Sequence, residues 1–158
     1  MLNIQVRITG DKRVLAQLKN IEGAFSDWKP ELQAVADYLV DFYKDPVFET
    51  EGGIFGARWQ ALSPAYQAKK STLYPGRGIL EASGNLRRSF ESRVYSNMLS
   101  ILNTAKNKQG EPYGSYHQEG KGVPKRLLIN VDDKTKKNVV DIFKKGVLIK
   151  LQNAIKKP

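Results

Sequence analysis

From residue 3 to residue 9 apolar and polar side chains alternate, with Ile4, Val6 and Ile8 on one side and Asn3, Gln5, Arg7 and Thr9 on the other. That period of two predicts a half-buried strand. Gly10 turns the chain, and Asp11 is placed to cap a helix whose Val14, Leu15, Leu18 and Ile21 form one apolar stripe covering a sheet, with Gly23 as its stop. A second helix starts between Ser26 and Pro30, since proline is tolerated only in the first turn, and ends near Asp45 because Pro46 follows. Leu32, Val35, Ala36, Leu39, Val40 and Tyr43 share its core face, with Val47 as a further candidate. Opposite that face Asp37, Asp41 and Asp45 fall at i, i+4 and i+8, a column of carboxylates.

Periodicity then fades. From Glu51 to Gly84 the chain reads as loop, with a short helix near Pro64 to Lys70 that Ser63 caps and Pro64 opens. Trp59, Leu62, Tyr66 and Tyr74 would pin the loop, while Gly52, Gly53, Gly56, Gly76 and Gly78 suggest hinges and parts that order only with a partner. Leu86 to Tyr95 and Met98 to Thr104 read as an antiparallel hairpin turning at Ser96-Asn97. Tyr113 to Gly120 and Leu127 to Val131 are expected to add short strands. From Lys134 onward Val139, Val140, Phe143, Val147, Leu151 and Ile155 fall in helical register, with Gly146 weakening or bending that helix. The expected fold class is therefore α+β: one domain over residues 1–158, an antiparallel sheet with amphipathic helices packed on one face, and a long, partly mobile loop.

A length of 158 residues allows one sizeable core, and a hydrophobic content of 41% with mixed charge is globular rather than disordered composition. The N-terminal residues lack the apolar stretch of a signal peptide, and no run approaches a membrane span, so no membrane role is expected. The absence of cysteine excludes a disulfide framework and thiolate metal sites and points to the cytoplasm as the setting. Net charge is +10, yet residues 1–65 hold 7 basic against 9 acidic side chains while residues 121–158 hold 11 against 3. Such polarity suits nucleic-acid binding or head-to-tail contact between copies.

Candidate chemistry is sparse. His117 is the single histidine, with no G-x-S-x-G elbow for a serine triad and no second nitrogen or sulfur ligand for zinc. A local role fits it better, its ring and Gln118 tying loop backbone and holding Tyr113 and Tyr116 against the sheet. Tyr74-Pro75-Gly76-Arg77-Gly78 lacks the spacing and terminal Lys-Ser/Thr of a phosphate loop and reads as a type I or II turn. No cofactor is expected. Arg87 and Arg88, with Lys69, Lys70, Arg77, Arg93, Lys125 and Arg126, offer a basic patch beside aromatic rings. For the aspartate column a solvated polar face is the plain reading. Contact with a basic neighbour is the second, and divalent metal the third, weakened because collinear ligands do not enclose an ion.

Four elements recur in order over residues 55 to 130: Trp59-Gln60-Ala61-Leu62-Ser63-Pro64, the pair Lys69-Lys70, the run from Pro75-Gly76 through Leu80, Ser83-Gly84 and Leu86 to Ser89, and Tyr113 through His117-Gln118 and Gly120 to Pro124-Lys125-Arg126. Together they resemble the phage virion morphogenesis (tail completion) family of Mu-like tailed phages. The resemblance implies a non-enzymatic protein of tail completion or head-tail joining, a virion component assembled in the bacterial cytoplasm. Its expected partners are phage tail or neck proteins and further copies of itself, in a hexameric ring in the virion, with DNA contact secondary. Partner docking would then involve Trp59, Lys69, Lys70, Tyr74, Arg77, Arg87, Arg88, His117, Lys125 and Arg126, and subunit contact Asp37, Asp41 and Asp45. The alternative is a nucleic-acid-binding protein using the basic patch, and a small hydrolase has only His117 in its favour.

Overall fold

A computed structural model describes residues 12–156, and the strand expected at residues 3 to 9 lies outside them. The elements in order are α1 (Lys12–Ala24), α2 (Lys29–Lys44), α3 (Pro46–Glu49), a 3-10 turn (Gly53–Phe55), α4 (Pro64–Leu73), α5 (Asn85–Arg88), β1 (Phe90–Val94), β2 (Leu99–Asn103), α6 (Gly114–Glu119) and α7 (Asp133–Lys156). The fold is α+β. An antiparallel hairpin, β1 against β2, packs on α2, and α2 packs in turn on α7.

α2 is central because its apolar positions are continuous along one face. Val35, Ala36, Leu39 and Tyr43 are buried there, and Pro46 ends the helix as its spacing requires. Across α3, Val47 and Phe48 extend the same core. Aromatic rings close it: Phe48 meets Trp59 edge-on with centroids 5.3 Å apart, and Tyr43 stacks on Phe90 at 5.9 Å. Leu86 and Leu128 complete the buried cluster from opposite sides of the motif region.

The hairpin runs in register from Phe90↔Asn103 to Val94↔Leu99, and the Tyr95 amide donates to Met98 O across the Ser96-Asn97 turn. It begins later than its pattern suggests. Asn85 to Arg88 form a helical turn instead, entered through Gly84 at φ +70°, and Leu86 is buried from that turn as a strand would also have buried it. Periodicity over so few residues does not separate the two geometries.

Two expected strands are absent. Tyr113 to Gly120 is helical, with Gly114 pressed on Asn103 and Leu86 and the end set by Gly120 at φ +77°. Leu127 to Val131 joins no strand ladder among the described residues, because side chains take its backbone groups. Gln118 Oε1 accepts from the amides of Leu128 and Ile129 at 2.7 and 3.1 Å, and its Nε2 donates to Ile129 O at 2.7 Å. Trp59 Nε1 donates to Leu127 O, and the Tyr43 hydroxyl donates to Asn130 O.

α1 packs on α7 rather than on the sheet, and Val14, Leu15 and Leu18 of its expected core stripe are about half exposed, at 49–56%. α7 turns Thr135 and Ala154 fully inward, while Val140 and Ile155, expected in the core, face outward. Gly146 does not interrupt it. A Cβ there would stand 2.7 Å from Glu31 Cγ, so the glycine lets α7 approach α2 where Glu31 and Lys150 pair at 2.7 Å. Glu31 is buried, and the Lys150 ammonium also lies 5.2 Å from the Trp28 ring centroid.

Candidate docking surface

Many of the motif residues are spent on holding the 51–84 segment to the body. Glu51 begins this: its carboxylate accepts from the Ile79 amide at 3.1 Å and its carbonyl accepts from the Trp59 amide at 2.7 Å. Trp59 is buried at 6% exposure and anchors the segment from inside. α4 follows as the sequence dictates, with Ser63 Oγ accepting from the Tyr66 amide and Pro64 in the first turn.

Lys70 then points back into the fold. Its ammonium donates to Arg77 O at 3.1 Å and to Gly78 O, fixing a turn in which Tyr74 O accepts from the Arg77 amide and Gly76 takes φ +71°. Pro75 followed by a left-handed glycine makes this a type II turn. Burial lowers the Lys70 pKa, while Glu81 and Glu51 nearby act in the opposite direction.

Arg87 lies between three acids. Its guanidinium donates to Asp45 Oδ1 at 2.7 Å and to Glu81 Oε1 at 2.8 Å, with Glu49 Oε1 at 3.7 Å, and these hydrogen bonds raise its pKa. The pairing of Asp45 with Arg87 is therefore made within one chain. Asp37 accepts from Gln33 Nε2 at 2.8 Å, and neither Asp37 nor Asp41 has an ion-pair partner among the described residues. Both are exposed.

Arg126 is the second inward cation. At 4% exposure it donates through Nε and Nη2 to Gln60 O, at 3.2 and 2.9 Å, and its own amide donates to His117 O at 2.7 Å. No carboxylate lies within 4.0 Å of its guanidinium among the described residues. His117 Nδ1 is buried beside it without a hydrogen-bond partner, and burial together with the Arg126 charge lowers the imidazole pKa. The backbone ties expected from the imidazole are thus made by the His117 carbonyl and by Gln118.

His117, Arg126 and Lys70 open on one cleft of about 780 Å³, walled by Leu62, Leu80, Leu86, Tyr113 and Val123. Outside it, Lys69, Tyr74, Arg77, Arg88 and Lys125 are exposed, and Arg88 donates to Ser83 O at 3.0 Å. Trp59, Lys70 and Arg126 thus leave the expected outer patch, and the structure joins two of them to His117 in the cleft. Spacing alone gave no signal for that cleft, because its two sides come from residues 60–86 and 113–126.

No group of three or more potential metal ligands occurs among the described residues, and no helix among them is long and apolar enough to cross a membrane. The chain matches the phage virion morphogenesis family over residues 9–147, and it belongs to that family. No curated protein and no solved structure matches it significantly.

Proposed function

Starting from membership of the phage virion morphogenesis family, which gives the chain a part in building a phage particle, we propose that it is a non-enzymatic subunit of tail completion or head-tail joining. It acts by contact with tail or neck proteins and with further copies of itself in a ring at the tail end. The observation that carries this reading is the division of its charges. Arg87 consumes Asp45 and Glu81 within the chain, whereas Asp37 and Asp41 on α2 and Lys69, Arg77, Arg88 and Lys125 on the motif side stay exposed. Exposed charges of both signs left without an ion-pair partner on one subunit favour heterologous, head-to-tail contact, which closes into a ring when the rotation permits.

Asp37 and Asp41 of one subunit then face basic residues such as Arg88 and Lys125 of the next. Asp41→Lys should block particle assembly in complementation of a phage lacking this chain, and Asp41→Lys combined with Lys125→Glu should restore part of it. Normal particle yield from Asp41→Lys alone would sink the pairing. A second reading, nucleic-acid binding, draws on the exposed lysines of α7, among them Lys136, Lys137, Lys144 and Lys145. It requires tight DNA binding by the purified chain, with affinity falling steeply as salt rises. Binding that is weak and indifferent to sequence leaves assembly as the function.

A further inference from the structure

The cleft between α4, α5 and α6 contains a buried guanidinium without an acidic partner beside a buried imidazole nitrogen without a hydrogen bond. Each feature is costly for the folded chain alone. A buried cation held only by a backbone carbonyl, and a buried ring nitrogen held by nothing, both lose solvation without full return. Arg126 and His117 both line the same concavity, to which Leu62, Leu80, Leu86, Tyr113 and Val123 contribute apolar lining.

We propose that this cleft is a docking site for an apolar segment of a partner virion protein that carries a single aspartate or glutamate. The carboxylate seats between Arg126 and His117, while flanking apolar side chains cover Leu80, Leu86, Tyr113 and Val123. The Arg126 fork has Nη1 uncommitted, since Nε and Nη2 both serve Gln60 O. His117, whose Nδ1 is buried and unpartnered in the chain alone, donates from that nitrogen to the second oxygen once its ring turns toward the docked carboxylate.

Charge complementarity selects an acid. The cleft presents the cations Arg126 and Lys70 beside the His117 ring, and no acidic side chain lines it. At about 780 Å³ it lies in the upper part of the usual range for ligand sites, room for a segment passing through rather than one terminal residue, so the acid is a side chain within that segment. A second copy of this chain does not supply it from α2. Asp37 and Asp41 alternate there with Ala36, Tyr38 and Phe42, which are buried or half-buried in their own core, so the helix cannot enter another subunit's cleft.

The inference rests on the assembly reading, and its test is separate from that reading. His117 is the single histidine, so histidine-labelled protein gives one imidazole signal, from the lining of the cleft. Acetyl-Leu-Glu-Leu-amide should shift that signal saturably and bind about tenfold tighter than acetyl-Leu-Gln-Leu-amide, the difference expected of one charge-assisted contact. Val123→Trp, at the rim, should abolish both responses, and Arg126→Met should make the two peptides equal. Equal affinity on the wild-type chain would reduce the cleft to an apolar groove and overturn the proposal. Tighter binding of acetyl-Leu-Leu with a free C-terminus would overturn it in favour of a terminal carboxylate, and silence with every peptide would remove it. None of these outcomes depends on particle yield. If deletion of the chain blocks assembly while the peptides fail, the assembly reading stands and the cleft is not its docking site.

Discussion

Trp59 occupies the space in which a Cβ on Gly52 would stand. Gly52 is buried at φ +79°, and an added methyl group would fall inside the indole ring, whose nitrogen is held by Leu127 O at 2.9 Å. Both the backbone conformation and the space therefore demand glycine. Gly52→Ala should destabilise the chain by about 2–4 kcal/mol, combining left-handed strain with displacement of a core tryptophan. Urea unfolding followed by Trp59 fluorescence measures this, with Trp28→Phe as the background to isolate the signal. A loss below about 1 kcal/mol would mean that the indole moves aside freely.

That relationship marks how far the sequence was readable. α2, with its continuous apolar face, and α7, although its Val140 and Ile155 face outward, lie where periodicity predicts them, and α4 lies where Ser63-Pro64 predicts it. The carboxyl-terminal motif segment was not readable as strand or helix, because the partners of its backbone are side chains distant in sequence. Gln118 fulfils for Leu128 and Ile129 what a neighbouring strand would have done, and Tyr43 reaches Asn130 from α2. The motif itself was legible, but its division of labour was not. Nothing in the spacing of Lys69 and Lys70 tells which one turns inward, since that depends on the Tyr74–Gly78 turn meeting the ammonium.

Glu31 and Lys150 form an ion pair whose side chains are 4% and 15% exposed, in the narrow gap that Gly146 leaves between α2 and α7. Lys150→Met strands a buried carboxylate and should cost about 3–5 kcal/mol, whereas Glu31→Leu together with Lys150→Met removes both charges and should recover most of that loss. Thermal and urea unfolding of the single and double variants decides it. A double variant no better than Lys150→Met would show that packing around the pair, rather than its charge, sets the stability of this contact.

Tyr43 is buried, donates to Asn130 O at 3.0 Å, and has its pKa pushed up to about 12 by burial first, then by Tyr38 and Asp132. Its pKa is raised by folding, so its contribution is fully present below the ordinary tyrosine value of about 10 and is lost as pH rises through the folded value. Alkaline unfolding should therefore be shallower for Tyr43→Phe than for the wild-type chain above that ordinary value. Phenolate absorbance should show a late component above the ordinary tyrosine value, and this component should vanish in Tyr43→Phe. A titration with no late component would contradict the burial of this hydroxyl.

His117 gives the opposite pH dependence. Burial, and then the charge of Arg126, lower its pKa, so the unfolded chain takes up the proton at a higher pH than the folded chain does. The stability this residue contributes is present above the unfolded histidine value of about 6.5 and is lost as pH falls from there toward the folded value. His117→Gln has no such proton to gain. Its stability relative to the wild-type chain should rise as pH is lowered from neutral through that window, measured as the difference in urea midpoints at matched ionic strength. The imidazole signal should titrate below the ordinary histidine range in the same window. If the two midpoints keep a constant separation while the signal titrates normally, the ring is solvated, and Arg126 faces the cleft without it.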